Sequence, residues 1–258
     1  SPILEPRLHA DSAAYIAGRG TRYALKQLDG IAKDPRTGAI AGFDVRAYYD
    51  TIEHARLMRE LRRHVSDRRV LSLVETIISS GKTGVPGSSS VGLLQGGPLS
   101  NLLANLFRDP LDVFIDADPR VVGHVGYGDD TRVGIMGDAR VATDFCDDVA
   151  DFVRDDLGLT FSPDKTRVVE RGEPIEFLSH VLVWTATGTQ WLPSAKAVSR
   201  LKDNLRAGQG AQLGTDNNKE DTKTSKPKPV NRILSGFTNY FAQVADRQKV
   251  DALVRETL

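Results

Sequence analysis

The sequence predicts an α+β fold, with helices and antiparallel strands packed in layers. Two stretches, residues 98–106 and 139–157, repeat apolar side chains at helical spacing, which is typical of amphipathic helices. Residues 121–136 form two apolar, strand-like runs joined by a short polar turn, which predicts a β-hairpin. Helical and strand-like segments do not alternate regularly along the chain, which argues against a doubly wound parallel sheet.

The first half of the chain is predicted to place helices around one buried strand. After an extended lead, the patterns predict a helix at 21–32, a strand at 39–44, helices at 52–65 and 70–78, a Gly/Ser-rich loop at 81–97 and a helix opened by Pro98. Proline is tolerated in the first turn of a helix because the amide hydrogen that it lacks has no helical partner there. Leu99, Leu102, Leu103 and Leu106 give this helix an apolar face.

The second half contains the predicted hairpin and a C-terminal helical module. The patterns predict the hairpin at 121–136, an amphipathic helix at 139–157, strands at 166–170 and 175–184, a turn near Gly188 and helices within 230–258. Residues 207–229 are rich in Gly, Asn, Asp, Lys and Thr and nearly lack large apolar side chains, which predicts a flexible loop.

Composition is that of a soluble globular protein, with 40% hydrophobic and 26% charged residues among 258. The sequence contains no apolar run long enough to cross a bilayer and no signal-peptide pattern, so no membrane partner is expected. The lone Cys146 suits a reducing cytosol, and the five histidines lack metal-ligand spacing, so no structural zinc site is expected. The net charge is zero, but from Lys196 onwards 12 Lys/Arg accompany 7 Asp/Glu, which indicates either a phosphate-binding module or a solvated tail.

The segment GYGDD at 126–130 places two adjacent carboxylates, Asp129 and Asp130, at the tip of the predicted hairpin. Two other Asp-Asp steps, at 147–148 and 155–156, lie in an acidic helical run, where solvated charge explains them. The hairpin pair lies among apolar residues, and adjacent carboxylates in such a place repel each other unless cations lie between them. This pattern predicts a divalent-metal site.

Asp44 ends the buried strand at 39–44. Taken alone, an acid at a strand end is more simply explained as a turn residue. Together with Asp129 and Asp130, it predicts three carboxylates on one sheet, an arrangement that can hold two metal ions for an in-line displacement at a phosphate.

Several motifs, in the same order along the chain, resemble reverse transcriptases, especially the bacterial group II intron-encoded, maturase-like type. They are FDVRAYY at 43–49, QGGPLSNLLAN at 95–105, YGDD at 127–130, LGLTFSPDKT at 157–166, EFLSH at 176–180 and VNRILSGFTNYF at 230–241. The openings ILEP at 3–6 and GRGT at 18–21 resemble the end of the fingers region. The resemblance therefore covers nearly the whole chain.

The resemblance implies a right-hand polymerase fold with a palm sheet, partial fingers and a helical thumb. It assigns 1–38 to partial fingers, 39–193 to the palm with part of the fingers within 60–100, and 194–258 to a thumb or maturase-like module that contains the loop 207–229. The first fingers strands of the family have no counterpart in the sequence, so a partner or a further segment is expected to supply them.

The resemblance also implies roles for single residues. Asp44, Asp129 and Asp130 would be catalytic and bind two Mg²⁺ ions, with Mn²⁺ as an alternative. The implied nucleotide-binding residues are Val45 (through its carbonyl), Tyr49, Gln95, Gly96 and Lys165, and the implied primer-grip residues are Phe177, Leu178 and Ser179. Tyr49 would exclude a ribose 2′-hydroxyl, and Lys165 would meet the triphosphate or protonate the leaving pyrophosphate. The plain alternatives are an ordinary half-buried ring for Tyr49, a surface side chain for Lys165 and core packing for Phe177 and Leu178.

The implied activity is RNA-directed DNA polymerisation, with an RNA template, a DNA primer, deoxynucleoside triphosphates and structured intron-like RNA as partners, in the bacterial cytoplasm near nucleoid or ribonucleoprotein. One alternative is a catalytically impaired, domesticated RNA-binding protein of the maturase type. An RNA-dependent RNA polymerase is disfavoured by Tyr49. Three positions depart from the family pattern, namely Gly128, Asn101 and Ser179.

Overall fold

The computed structural model describes residues 4–81, 84–97, 99–213, 230–242 and 244–257. It divides into two compact units, Ser1–Arg171 and Gly172–Leu258. Each unit combines helices with one sheet, and the strand pairs of both sheets are antiparallel. The predicted α+β class is therefore confirmed.

Within the described residues, the first unit contains a four-stranded sheet and six α-helices. The strands are β1 (Thr37–Asp44), β2 (Val121–Tyr127), β3 (Asp130–Met136) and β4 (Arg167–Glu170), and the helices are α1 (Thr21–Lys33), α2 (Tyr48–Thr51), α3 (His54–His64), α4 (Arg68–Ser80), α5 (Ser100–Asp116) and α6 (Ala139–Asp155). The strand order is β2-β3-β1-β4, so β1 lies inside the sheet with β3 and β4 on its two sides.

One face of this sheet belongs to the main hydrophobic core. Side chains alternate across a strand, so Ala39, Ala41 and Phe43 of β1 point to the same face, and all three are fully buried. Phe107 of α5 and Phe145 of α6 lie in the same core and are also fully buried. Burying each such ring contributes roughly 1.5–3 kcal/mol, which fixes β1 between its neighbours.

The opposite face of the sheet is lined with glycine where other groups approach it. A Cβ at Gly134 would overlap the side chain of Ile31 from α1, and Gly123 also faces Ile31. A Cβ at Gly42 would lie 3.1 Å from Nε of Arg132, which is the cross-strand partner of Gly42. Glycine therefore leaves room for α1 and for the Arg132 side chain on the face that also carries Asp44.

The described part of the second unit contains a three-stranded meander and three helices. Its elements are β5 (Ile175–Phe177), β6 (His180–Thr185), β7 (Gly188–Pro193), α7 (Ala195–Leu213), α8 (Val230–Phe241) and α9 (Arg247–Thr257). His180 packs among the rings of Trp191, Tyr240 and Phe241, with centroid separations of 6.1, 5.2 and 4.5 Å. These contacts join the meander to α8.

The predicted elements of the first unit are confirmed with small shifts of their ends. The segment expected as one helix at 52–65 consists of α2 and α3, and α3 begins at His54. The helix after the Gly/Ser-rich loop begins at Ser100, and Pro98 lies outside the described residues. Cys146 is buried.

Two predictions for the second unit are wrong in part. The strand expected at 175–184 is two strands separated by a turn at Leu178 and Ser179. Residues 207–213, expected in a loop, continue helix α7, because their alanine, glutamine and leucine favour helix more than the interspersed glycines oppose it. The predicted helices within 230–258 are confirmed as α8 and α9, and residues 214–229 and Leu258 lie outside the described part of the chain.

No helix in the described residues is long and apolar enough to cross a membrane.

Candidate functional site

The three predicted acids meet at one edge of the first sheet. Asp44 and Asp130 are cross-strand partners at the ends of β1 and β3, and Asp129 lies in the two-residue turn between β2 and β3. The carbonyl of Asp129 accepts a hydrogen bond from the amide of Val45 at 3.1 Å. This bond ties the hairpin tip to the end of β1, so the backbone itself holds the acids together.

Gly128 shapes the turn that carries Asp129. Its φ of +65° lies in the left-handed region, where glycine has no steric penalty, and nothing lies within 4 Å of a Cβ placed there. Glycine, which departs from the family pattern at this position, therefore avoids backbone strain. A side chain there would meet no neighbouring group within 4 Å of its Cβ.

Burial and mutual repulsion raise the pKa of two of these carboxyls. The pKa of Asp129 is raised first by burial and second by the neighbouring Asp44. The pKa of Asp130 is also raised by burial, although an ion pair with Arg132 opposes the shift. Arg132 follows Asp130 by two residues on β3 and therefore lies on the same face of the sheet.

Asp44 is contacted by two side chains from the segment that precedes β4. Lys165 donates a hydrogen bond from Nζ to Oδ1 of Asp44 at 2.8 Å, and Ser162 donates to the same oxygen at 3.3 Å. The contact raises the pKa of Lys165, so this ammonium group is charged at neutral pH. An exposed cation thus lies directly at the acid cluster.

The donor set fits a divalent cation with a preference for oxygen ligands. Asp130 is already paired with Arg132. Burial and the nearby Asp44 raise the pKa of Asp129, and a cation would relieve the repulsion between these two carboxylates. Carboxylate and backbone carbonyl oxygens are the ligands that Mg²⁺ and Mn²⁺ accept. Asp44 and Asp129 could therefore hold a metal ion, and Val45 directly follows Asp44 in the chain.

Tyr49 lies one turn beyond Asp44, with its ring half-buried. Its hydroxyl donates a hydrogen bond to Oδ1 of Asn101 at 2.9 Å, and its ring meets that of Tyr48 edge-on at 5.9 Å. Burial raises the pKa of the Tyr49 hydroxyl, which therefore stays protonated and remains a donor. Asn101, one of the positions that depart from the family pattern, is thus the partner that orients Tyr49, a role that the sequence did not reveal.

Gln95 and Gly96 lie in an exposed turn before α5. The turn is closed by a hydrogen bond from the amide of Gly97 to the carbonyl of Leu94 at 3.0 Å. A second bond, from the amide of Leu93 to the carbonyl of Tyr49 at 2.7 Å, ties this loop to the segment after β1. The backbone therefore connects the Gln95 loop to Tyr49.

Arg108 supports the hairpin from beneath and was not predicted from the sequence. It is buried and donates to the carbonyl of Gly128 at 3.0 Å and to Oγ1 of Thr131 at 2.9 Å, while Asp112 neutralises it at 2.8 Å. A Cβ at Gly126 would overlap its guanidinium group. The spacing of Arg108 and Asp112, four residues apart on a helix, was the available signal, but such pairs are common on surfaces.

The predicted primer-grip residues lie in the second unit, at the turn between β5 and β6. Phe177 is buried, which agrees with its alternative interpretation as core, whereas Leu178 and Ser179 form the turn with φ of +50° and +65°. The carbonyl of Leu178 accepts hydrogen bonds from Nδ1 of His180 at 2.8 Å and from the hydroxyl of Tyr240 at 3.2 Å. Burial lowers the pKa of His180, so the ring is neutral and Nδ1 carries the donated proton.

Comparison with known proteins gives the family of the chain. The sequence pattern of the family described as reverse transcriptase (RNA-dependent DNA polymerase) matches residues 2–182. The chain belongs to this family. Among its relatives, Protein YkfC of Escherichia coli is 31% identical over 120 residues, which are 44% of this chain and 31% of YkfC. An uncharacterized 91 kDa protein in the cob intron of Schizosaccharomyces pombe is 30% identical over 44% of this chain and 14% of its own length.

The reverse transcriptase fold is shown by a solved structure as well. Telomerase from Candida albicans, in complex with a fragment of telomeric RNA, superposes with a TM-score of 0.54 and 14% identity, covering 95% of this chain and 44% of the telomerase chain. The predicted right-hand polymerase fold is therefore confirmed, and the relatives agree with the intron-encoded, maturase-like type. The chain matches less than a third of the length of either curated relative.

Proposed function

We propose that this reverse transcriptase domain is an RNA-directed DNA polymerase that adds deoxynucleotides to a DNA primer on an RNA template. The observation that carries the proposal is the meeting of Asp44, Asp129 and Asp130 at the end of one sheet, within the family-matched region. A protein that only binds RNA has no need for three carboxylates held together in this way, because their repulsion costs stability.

The chemistry proposed for this site is nucleotidyl transfer with two Mg²⁺ ions, for which Mn²⁺ can substitute. Bound there, the ions would lower the pKa of the primer 3′-hydroxyl and stabilise the charge on the leaving pyrophosphate. Asp44 and Asp129, with the Val45 carbonyl, would hold the ions, and Asp130 would remain paired with Arg132 as the outer member of the cluster.

Lys165 would act on the phosphates of the incoming nucleotide. In the structure its ammonium group lies on Asp44 at 2.8 Å, while its side chain is 62% exposed and free to swing outward. A group in this position can bind the triphosphate when a nucleotide arrives and donate a proton to the departing pyrophosphate. The Gln95–Gly96 turn, tied by backbone to Tyr49, would line the nucleotide on its other side.

The same proposal assigns each segment of the chain to a subdomain of the polymerase. Residues 1–38 would belong to the fingers, 39–193 to the palm and 194–258 to the thumb, with Leu178 and Ser179 presenting the primer strand. A partner or a further segment would supply the rest of the fingers.

A second function, RNA binding of the maturase type without polymerisation, is favoured by one observation. A relative of this chain is a protein in the cob intron. In that function the chain would bind a structured intron-like RNA, and the acids would be a remnant.

Primer extension with and without Asp129 tests the first function. An RNA template annealed to a DNA primer is incubated with deoxynucleotides, Mg²⁺ and either the wild-type chain, Asp129→Asn or Asp147→Asn. Because Asp129 is proposed to bind metal, its replacement should slow extension at least about 100-fold, which is the upper end of losses caused by changes around metal sites. Asp147→Asn is the matched control, since it removes the first acid of an exposed Asp-Asp step on α6.

RNA binding is measured on the same three proteins. Equal extension by Asp129→Asn and wild type would overturn the metal assignment. Failure of the wild-type chain to extend any primer, with RNA binding intact in all three proteins, would favour the second function.

A further inference from the structure

A cluster of two histidines and an aspartate lies beside β2, away from the acids at the hairpin tip. The side chains of His9, Asp11 and His124 bring ligand atoms within 4.8 Å of one another. The two imidazole rings stack at a centroid separation of 5.2 Å. Histidine spacing along the sequence gave no sign of this group, because the fold joins positions separated by more than 100 residues.

His124 is fully buried, and its Nδ1 lacks a hydrogen-bond partner. Leaving a buried polar atom without a partner is destabilising, so such atoms usually have a ligand or a water. Nδ1 of His124 points towards the carboxylate of Asp11, at 3.7 Å from Oδ2. The orphaned nitrogen therefore faces the centre of the cluster.

The other side of His124 has the surroundings of a metal-binding histidine. Its Nε2 lies 3.3 Å from Oδ1 of Asp112, and Asp112 is itself held by Arg108 at 2.8 Å. Histidines that bind metal commonly direct the second ring nitrogen at a carboxylate, which fixes the tautomer and the ring orientation. With Nε2 directed at Asp112, Nδ1 is left as the ligand atom.

His9 completes the group, and its ring stacks on that of His124. Its Nδ1 lies 3.5 Å from Oδ2 of Asp11 and accepts a long hydrogen bond, 3.4 Å, from the Asp11 amide, which a metal ion bound to the same lone pair would replace. Tetrahedral zinc with bonds of about 2.0–2.1 Å separates neighbouring ligand atoms by about 3.4 Å. The separations of 3.5 and 3.7 Å around Asp11 Oδ2 match that spacing closely.

We propose that His9, Asp11 and His124 form a binding site for a zinc-class divalent ion. Imidazole nitrogen with carboxylate oxygen is a ligand set that zinc accepts and that Mg²⁺, which prefers oxygen alone, does not favour. The side chains of His9 and Asp11 are 19% and 24% exposed, so an ion and a water in the fourth position can enter from solvent.

The ion would fasten the N-terminal segment to the sheet. The amide of Gly126 donates to the carbonyl of Asp11 at 2.9 Å, and the amide of Ala13 donates to the carbonyl of Gly126 at 2.8 Å, so residues 11–13 already border β2. A metal that joins Asp11 and His9 to His124 adds a cross-link at the same place. This cross-link lies on the strand that leads to Asp129 but uses none of the three acids Asp44, Asp129 and Asp130.

Zinc binding by the full chain, produced without a histidine tag, tests the proposal. The chelator-treated protein is equilibrated with Zn²⁺ in excess Mg²⁺, and bound zinc is measured by atomic emission together with the melting temperature. One zinc ion per chain and a rise in melting temperature with zinc are expected, because a ligand that binds only the folded state stabilises it.

Four variants locate the ion. Asp11→Asn and His9→Gln, both at partly exposed positions, should bind zinc at least about tenfold more weakly. Asp144→Asn on α6, the same chemical change at an exposed position, and Asp129→Asn at the hairpin should bind it like the wild type. The proposal is overturned if the wild type retains no zinc, if Asp11→Asn binds it equally well, or if Asp129→Asn abolishes binding.

Discussion

Tyr49 is held more firmly than an exposed aromatic residue would be. The hydrogen bond to Asn101 fixes the far end of the side chain, and the edge-on contact with Tyr48 fixes the ring. Tyr48 is in turn buried and donates to the carbonyl of Ala104 at 2.6 Å. A ring fixed in this way can act as a rigid wall beside the sugar of a bound nucleotide.

Removing the ring of Tyr49 should therefore weaken discrimination between deoxynucleotides and ribonucleotides. For Tyr49→Ala we expect the ratio of kcat/KM for a deoxynucleotide over its ribonucleotide to fall at least about tenfold, since a steric contact of this size is worth a few kcal/mol. Tyr49→Phe keeps the ring and loses only the bond to Asn101, so it should keep most of the discrimination. If both variants discriminate like the wild type, Tyr49 is not the gate.

The turn between β5 and β6 is strained at the level of the element. Leu178 and Ser179 both adopt the left-handed conformation, which costs roughly 1–2 kcal/mol for a residue with a Cβ. The bonds that His180 and Tyr240 donate to the Leu178 carbonyl hold the turn in place against that cost. Strain kept by dedicated contacts is common where a loop must present a binding surface.

Replacing Ser179 by glycine should stabilise the second unit, because glycine adopts a φ of +65° without penalty. The expected gain is about 1 kcal/mol, measured by calorimetry of the full chain. Ser235→Gly, in helix α8 of the same unit, is the matched control and should lower stability by roughly 0.5–1 kcal/mol. A loss of stability in Ser179→Gly would show that the serine makes a contact worth more than the strain.

Elements determined by their own sequence pattern were predicted, whereas a turn held by contacts from a distant helix was not. The hairpin at 121–136 and the helix at 139–157 were predicted because their own apolar periodicity decides them, and Asp44 was placed at a strand end by the same means. The apolar pattern did not predict the turn at Leu178 and Ser179, because neither is a usual left-handed residue and one of the two bonds that hold the turn comes from the distant helix α8.

Site residues that act through partners elsewhere in the fold were likewise not predicted from the sequence. The motif order identified Asp44 and the hairpin acids, but Asn101, Arg108 and Arg132 were missed because each acts through a partner distant in sequence or on the same face of a strand. The pairing of His9 with His124 has no signal in the sequence, since only the fold brings them together.

At the scale of the whole molecule, the acid cluster should make the fold depend on pH and on metal. Asp129 and Asp130 have pKa values raised above that of an unfolded aspartate, so the folded state binds protons more tightly than the unfolded state. Their contribution to stability is present at low pH and is lost as the pH rises from the unfolded pKa through the folded pKa. At neutral pH the ionised carboxylates therefore destabilise the fold unless a cation compensates them.

Asp129→Asn should consequently melt at a higher temperature than the wild type at pH 7 in the absence of divalent ions, and the difference should shrink towards pH 4. Mg²⁺ should raise the melting temperature of the wild type and of Asp147→Asn but raise that of Asp129→Asn less, because the variant lacks a ligand. A difference of about 1 kcal/mol would correspond to roughly 2–4 °C in a chain of this size. Since melting does not depend on primer or nucleotide, this measurement separates metal binding from catalysis. Identical melting of wild type and Asp129→Asn at pH 7, with and without Mg²⁺, would show that Asp129 neither strains the fold nor holds a metal ion.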